Sequence, residues 1–337
     1  MTVLVTGGAG FIGSSFVRMA LRERWAEKVI NLDKLTYAGN LDNLQEVGGH
    51  SGYRFVHADI CDAKAIEELL YAEAPDAVVH FAAESHVDRS IHSPAPVIQT
   101  NFNGTFTLLE AARKHKIARF VHVSTDEVYG SIDAPLEADE NYPLHASSPY
   151  SASKAGSDLL ALSYYTTYKL NISVTRASNN YGPYQFPEKL IPLMISNALE
   201  NKELPVYGDG QQVRDWLYVE DHCRAIRSVL EKGAPGEIYN VGGNCSLPNL
   251  DVIKRILRVT GKPETLITRV TDRPGHDRRY ALTNEKLTRA TGWQPLMNFD
   301  RGLQVTIDWY REHCDWVERV KTGKYRSFYE LNYSQRG

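Results

Sequence analysis

Cysteine is scarce in this sequence, and its scarcity excludes a good deal. Only Cys61, Cys223, Cys245 and Cys314 occur in 337 residues, and they lie far apart. No Cys-x-x-Cys spacing exists among them, so neither a zinc site nor a redox dithiol is indicated, and no metal is expected. No apolar run comes near the ~18 residues that a membrane-spanning helix needs, so no membrane partner is expected. Charge of either sign is not in excess. With 38 basic and 41 acidic residues the net charge is −3, which offers no global attraction to nucleic acid. Internal repeats and low-complexity segments are missing too. The chain enters a strand at Val3-Leu4-Val5, leaving no room for a signal peptide and making the cytoplasm the expected compartment. What is present, 42% hydrophobic and 23% charged residues, is ordinary for a soluble enzyme. The length suggests one large or two modest domains.

The N-terminal stretch carries the first motif. A strand, Thr2 to Thr6, runs into Gly7-Gly8-Ala9-Gly10-Phe11-Ile12-Gly13, and a helix from Ser14 to Glu23 follows. Glycines at 7, 10 and 13 allow a sharp turn and a close approach of backbone to a pyrophosphate, which then sits on the helix N-terminus. Three glycines alone are a weak signal; strand before and helix after give them weight. The next strand, Val29 to Leu32, ends at Asp33, twenty residues beyond Gly13. A carboxylate there is placed to accept hydrogen bonds from an adenosine ribose and would repel a 2′-phosphate, so NAD is expected rather than NADP. A third strand, Tyr53 to Ala58, ends at Asp59-Ile60, which are expected beside the adenine, and a helix spans Ala63 to Ala74. The fourth, Ala77 to Phe81, runs into Ala82-Ala83, whose small side chains let a cofactor lie close. Helices alternating with buried strands predict an α/β fold with a parallel, doubly wound sheet.

The second motif follows the apolar run Phe120-Val121-His122-Val123. Asp126 and Glu127 are adjacent acids where this strand ends, where ligands bind in open α/β sheets. Neighbouring side chains on a strand point opposite ways, so both acids can face one substrate only if the chain is already leaving the strand. Tyr150 and Lys154 are four apart, on one face of a helix running to Tyr168. A nearby ammonium favours a phenolate, which makes Tyr150 a candidate base and Asp126 with Glu127 an acid/base pair. This helix and one from about Pro96 to His115 carry apolar side chains on more than one face, among them Leu159, Leu160, Leu162, Tyr164 and Tyr165. One sheet cannot bury both faces, so a homodimer is expected.

Beyond Val174 the pattern changes to short helices separated by Pro, Gly and basic residues. Lys189, Arg214 and Arg273 offer cations for phosphate oxygens, and Tyr207 and Trp216 either stack on a base or pack the core. As a set they suggest a diphosphate ligand. Ile238 to Val241 reads as a late strand rejoining the sheet. The expected division is therefore an NAD-binding part, 1–178 with a returning segment near 212–243, and a smaller interleaved part over 179–330.

Seven stretches complete the pattern: Thr6 to Gly13, Ala82-Ala83-Glu84-Ser85-His86-Val87-Asp88-Arg89-Ser90, Ser124 to Gly130, Tyr150 to Lys154, Asn179-Asn180-Tyr181-Gly182-Pro183, Arg214-Asp215-Trp216 and Asp272-Arg273-Pro274-Gly275-His276. Over nearly its whole length the chain resembles the extended short-chain dehydrogenase/reductase family, and within it the nucleotide-sugar 4,6-dehydratases. The glycine loop and Tyr-x-x-x-Lys are shared across that family. Thr125-Asp126-Glu127 is specific to the dehydratases. The resemblance implies a redox-neutral lyase of deoxysugar biosynthesis acting on dTDP-glucose. In it Tyr150 takes the C4 hydroxyl proton, assisted by Lys154 and Thr125. The C4 hydride passes to NAD, Glu127 removes the proton at C5, and Asp126 protonates the departing C6 hydroxyl before the hydride returns to C6.

The resemblance also implies ligand contacts. Phe11, Ile12, Lys34, Thr36, Ser85, Thr100 and Asn180 would join the glycines, Asp33, Asp59, Ile60, Ala82, Ala83, Tyr150 and Lys154 around NAD. Ser85, Thr125, Asn179, Glu188, Lys189, Leu190, Pro205, Tyr207, Arg214, Asn249, Arg273 and His276 would hold the nucleotide-sugar. Two stretches depart from the pattern: Asn244-Cys245-Ser246-Leu247-Pro248 is more apolar than the resemblance leads one to expect, and the tail over 325–337 is longer. The competing readings are a UDP-sugar 4,6-dehydratase, which differs by a small pocket change, and a nucleotide-sugar 4-epimerase, which needs no acid for C6. A non-catalytic NAD-binding regulator would need none of Thr125, Asp126, Glu127, Tyr150 and Lys154.

Overall fold

The computed structural model describes residues 1–321; the tail singled out above lies outside them. The order of elements opens β1 (Thr2–Thr6), α1 (Phe11–Arg22), β2 (Lys28–Asp33), β3 (Tyr53–His57), α2 (Ala63–Glu73), β4 (Ala77–His80), α3 (Val87–His92) and α4 (Ala95–Val97). It continues with α5 (Thr105–Lys114), β5 (Arg119–Thr125), α6 (Pro149–Tyr168), β6 (Ile172–Ala177), β7 (Asn179–Tyr181), α7 (Leu190–Leu199), β8 (Leu204–Tyr207) and β9 (Val213–Tyr218). The remainder is α8 (Val219–Lys232), β10 (Ile238–Val241), β11 (Ser246–Pro248), α9 (Asn249–Thr260), β12 (Ile267–Val270), α10 (Glu285–Thr291), α11 (Phe299–Glu312) and α12 (Cys314–Val320).

Seven strands form one parallel sheet in the order β10-β6-β5-β4-β1-β2-β3. The doubly wound α/β fold expected from the alternation is therefore what forms. The strands are near-continuous apolar runs because helices cover both faces; Val3, Leu4 and Val5 are all buried. The chain winds outward from β1 to β3 on one side and from β4 to β6 on the other. The order reverses between β1 and β4, and a crevice opens at such a switch point.

A smaller layer rests beside the carboxyl ends of these strands. It holds a three-stranded sheet, β11-β9-β7, and a parallel pair, β12-β8. Its own core joins Ile191, Ile195, Val252, Ile256, Trp216 and Leu303 from α7, α9, β9 and α11. Between β9 and β11 the chain returns to the large sheet, where β10 pairs with β6 in the register Tyr239↔Thr175.

The single helix expected over 96–115 is not continuous. Between α4 and α5 the stretch Ile98–Gly104 is π-helical. Asn101 explains the widened turn: its side chain accepts from Glu84 N at 2.8 Å and donates to Ser153 Oγ at 2.9 Å, so it is drawn out of the helix line toward the site. The outer face of this segment and of α6 leaves Ile98, Phe102, Phe106, Leu159 and Tyr168 exposed.

Candidate active site

Local sequence places the reactive groups. At the end of β5 the Thr125 side chain accepts from Glu127 N at 3.2 Å and caps a 3₁₀ turn, Asp126–Tyr129. That cap takes the two acids out of the strand, the condition under which adjacent carboxyls can share a cavity. Helix α6 begins with a capping box: Ser148 Oγ accepts from Ser151 N at 3.1 Å, and Ser151 Oγ accepts from Ser148 N at 3.0 Å. Pro149 at the first helical position completes the start. Tyr150 therefore lies in the first turn and Lys154 in the next, both facing the crevice.

Two adjoining cavities occupy the crevice. The larger, about 330 Å³, runs from the glycine loop to Lys154. It is lined by Gly7, Gly10, Phe11, Ile12 and Gly13, then by Asp33, Lys34, Thr36, Asp59 and Ile60. Ala82, Ala83, Ser85, Thr100 and Asn180 continue it, and Thr125, Asp126, Glu127, Tyr150 and Lys154 close its far end. The smaller, about 130 Å³, is lined by Pro205, Tyr207, Arg214, Asn249, Arg273 and His276. Glu127, Asn179, Glu188, Lys189 and Leu190 line both, so Glu127 stands where the two meet and Asp126 on the side of the larger one.

The larger cavity fits a dinucleotide. Gly7 has φ +73°, and a Cβ on it would lie 2.6 Å from Ala82 N. A Cβ on Gly13 would meet Gly7 O at 2.2 Å. The backbone is thus kept bare where a pyrophosphate must approach, and α1 starts with no capping side chain on its amides. The Asp33 carboxylate is fixed by Ala9 N at 2.9 Å and Leu35 N at 2.8 Å, which leaves lone pairs for hydroxyl donors.

The electrostatics separate the titratable groups. Asp126 is 3% exposed, and burial first, then Glu127, holds its carboxyl well above the usual range. Burial raises Glu127 also, but Arg273, Lys189 and Arg214 oppose it. One acid is thereby biased to stay protonated, and its neighbour is surrounded by cations that favour its charged form. Burial and then Glu127 raise the Tyr150 phenol, with a hydrogen bond from Thr125 opposing. The stabilisation of a phenolate by Lys154, expected from their spacing, does not govern Tyr150 in the protein by itself. Lys154 Nζ donates instead to Val123 O at 2.8 Å.

The smaller cavity is a cluster of anchored cations and polar groups. Arg273 donates to Asp88 Oδ1 at 3.3 Å, and Tyr207 OH to Asp88 Oδ2 at 3.0 Å. Arg214 donates to Val213 O and Asp277 O at 2.8 and 2.9 Å and stacks on Tyr280 at 4.1 Å. Burial pushes the His276 imidazole down to about 4, so it acts there as a neutral hydrogen-bonding group. Lys189 reaches Ser85 O at 2.7 Å, and Glu188 faces Arg89 Nε at 3.3 Å. The apolar stretch before Asn249 is β11, whose Leu247 pairs with Arg214 on β9. That pairing delivers Asn249 beside Arg214, with an Oδ1 that has no hydrogen-bond partner among the described residues. Trp216 lies in the smaller core and lines both cavities.

Asp88 and His222 are among the cavity residues to which no sequence pattern assigns a role. Asp88 sits inside a quoted motif, where an acid beside Arg89 looks like a surface pair. His222, one turn into α8, meets Asn180 Oδ1 through Nδ1 at 2.9 Å, a contact 42 residues apart in sequence that no local pattern announces.

Comparison with known proteins agrees with this geometry. The profile of the family described as GDP-mannose 4,6 dehydratase matches residues 4–306. The dTDP-glucose 4,6-dehydratase of Shigella flexneri is 52% identical over 361 aligned positions, covering all of both chains. Among solved structures, the dTDP-glucose 4,6-dehydratase of Streptomyces venezuelae with NAD bound superposes with a TM-score of 0.93 at 50% identity, over 95% of this chain and 100% of that one. The dTDP-glucose 4,6-dehydratase of Bacillus anthracis, in complex with NAD, gives 0.90 at 49% identity over the same shares.

Proposed function

The chain belongs to the GDP-mannose 4,6-dehydratase family, and from that premise we propose that it converts dTDP-glucose to dTDP-4-keto-6-deoxy-glucose with NAD as its resident cofactor. The observation that carries the proposal is the pair Asp126 and Glu127, capped out of β5 by Thr125, where a dinucleotide cavity meets a cation-lined one. NAD, held by the glycine loop and Asp33, would supply a reversible hydride acceptor and so leave the reaction redox-neutral overall.

The side chains divide the proton work. Tyr150 accepts the C4 hydroxyl proton, and Thr125 hydrogen-bonds the same oxygen. Lys154 supplies positive charge beneath the phenol. Once C4 is a ketone, the C5 proton is acidic enough for a carboxylate, and Glu127 takes it and gives a proton back to C5 when hydride adds at C6. Asp126, which burial keeps protonated, gives its proton to the C6 hydroxyl as that group leaves. Epimerisation has no use for an acid at C6. Arg214, Arg273 and Lys189 hold the diphosphate, and Tyr207, Asn249 and His276 the nucleoside side of the substrate. Asp33 excludes a 2′-phosphate.

The assembly and place of the protein are part of the same reading. We take residues 1–178 with 212–243 as the NAD-binding part and 179–330 as the nucleotide-sugar-binding part, of which 322–330 lie outside the described residues. The exposed Phe102, Phe106 and Leu159 face supports a homodimer. The four cysteines are free thiols, in keeping with the reducing cytoplasm. Incubation with dTDP-glucose and, separately, UDP-glucose tests the proposal. Mass and NMR should show the 4-keto-6-deoxy sugar from dTDP-glucose, and a 4-epimer or a preference for UDP-glucose would overturn it.

A further inference from the structure

The interior of the sheet behind the Tyr150–Lys154 face is charged. Asp158 lies one helical turn beyond Lys154 on α6 and is 0% exposed. Its Oδ2 accepts from Arg176 Nε at 2.9 Å, and its Oδ1 lies 3.3 Å from His122 Nε2. Arg176, also buried, donates to Tyr129 OH at 3.0 Å, which in turn donates to Asn240 Oδ1 at 2.8 Å. Arg176 on β6 therefore holds this carboxylate, and is itself tied through Tyr129 to Asn240 on β10. A buried ion pair of this kind adds little stability over apolar residues of the same volume, so stability alone does not account for it.

The groups around Lys154 are identifiable. His80 on β4 and His122 on β5 are held neutral by burial, His122 at about 4. Asp126 and Glu127 stand on the cavity side; burial raises both, and the cations that favour the charged form of Glu127 are Arg273, Lys189 and Arg214. Tyr150 is an uncharged phenol on the same helix, and Arg176 on β6 is paired to Asp158. That leaves Asp158 as the negative charge set behind the lysine. Burial pushes the Lys154 ammonium down to about 8, and Asp158 is the charge that opposes this.

We propose that Asp158 is a positioning residue: its carboxylate, held by Arg176, is the counter-charge that keeps Lys154 cationic beside Tyr150. The inference rests on the role given to Lys154 above and adds the device that sustains it. A site built only from the residues lining the cavity would lose the ammonium as substrate and cofactor exclude water. A charge fixed one turn away, on the dry side of the helix, does not depend on solvent.

The test follows Lys154 itself. The NAD-loaded enzyme is labelled with ¹³Cε-lysine, and the Lys154 signal is identified by its loss in Lys154→Met. Its titration midpoint should fall by about one pH unit or more in Asp158→Asn, a tenfold change in proton affinity. Asp158→Glu should restore it. Asn in place of Asp strands Arg176, so the double variant Asp158→Asn/Arg176→Met is titrated as well; with neither charge stranded, its midpoint should still fall. The alkaline limb of kcat should move with the midpoint. A midpoint unmoved in both Asp158→Asn and Asp158→Asn/Arg176→Met overturns the inference. Full turnover by Lys154→Met would instead overturn the role of the lysine, whatever the titration shows.

Discussion

Replacing Asp126 by Asn should make the protein less active and more stable at once. The side chain is 3% exposed, and its Oδ2 has no hydrogen-bond partner among the described residues. Asn keeps the shape and can still accept from Thr125 Oγ1, which lies 3.3 Å from Asp126 Oδ1. What is lost is the proton that the C6 hydroxyl needs, and general-acid losses run to about 10²–10⁴-fold in turnover. The stability sign follows from the raised carboxyl. An unfolded chain ionises this group near pH ~3.9, whereas the folded one resists. The native state therefore loses stability as pH climbs from the unfolded value to the folded one, and the deficit stays constant above that. Asn carries no such deficit. Each pH unit of elevation corresponds to about 1.4 kcal/mol. With an unfolding entropy of ~2.1 cal/mol/K per residue, a chain of 337 residues turns each such unit into about 2 °C of Tm. Calorimetry at pH 8 should show the variant melting higher than the parent, with the gap closing toward pH 4. A lower Tm at pH 8, a gap that persists unchanged at pH 4, or undiminished turnover would refute the reasoning.

Three further outcomes are expected. Glu127→Gln should abolish most of the solvent deuterium incorporated at C5; because Glu127 must be ionised and its value is raised, activity of the parent should fall as pH drops through a point above ~4.3, and the residual activity of the variant should lack that acid limb. Parent protein should bind NAD more tightly than NADP in a fluorescence titration, and Asp33→Ser should narrow the gap; equal affinities in the parent would contradict the role of Asp33. Phe106→Glu combined with Leu159→Glu places charges on the exposed apolar face and should shift sedimentation from dimer to monomer, whereas a parent that already sediments as a monomer removes the premise.

What could be read from sequence, and what could not, divides along the range of the interactions. The strand, glycine turn and helix over 2–22 are visible because each signal is local: an apolar run, glycines where a Cβ would strike backbone, then amphipathic spacing. The parallel sheet is visible because central strands such as Val3-Leu4-Val5 and Ala77-Val78-Val79 are buried apolar runs. Residues brought together across the fold are a different matter. Asp88 meets Tyr207 and Arg273 over separations of 119 and 185 residues, and in sequence it is one acid beside one arginine. The π-helical break at 98–104 depends on Asn101 reaching Glu84 and Ser153, which a helical period does not encode.

Lys154 shows where spacing stops being sufficient. Four residues from Tyr150, it suggests an ammonium that lowers the phenol. In the folded protein burial acts on both groups, raising the phenol and lowering the ammonium. Spacing supplies the pair, but the charge state of each member is set by what lies behind the helix: His122, Asp158 and Arg176, contributed by β5, α6 and β6. The same holds for the acids. Asp126 and Glu127 are adjacent and chemically alike, and only the fold makes them unequal: burial raises both, but Arg273 and Lys189 oppose it at Glu127. Division of labour between an acid and a base is thus a property of the assembled site, and it is lost with the tertiary contacts even where every motif residue is kept.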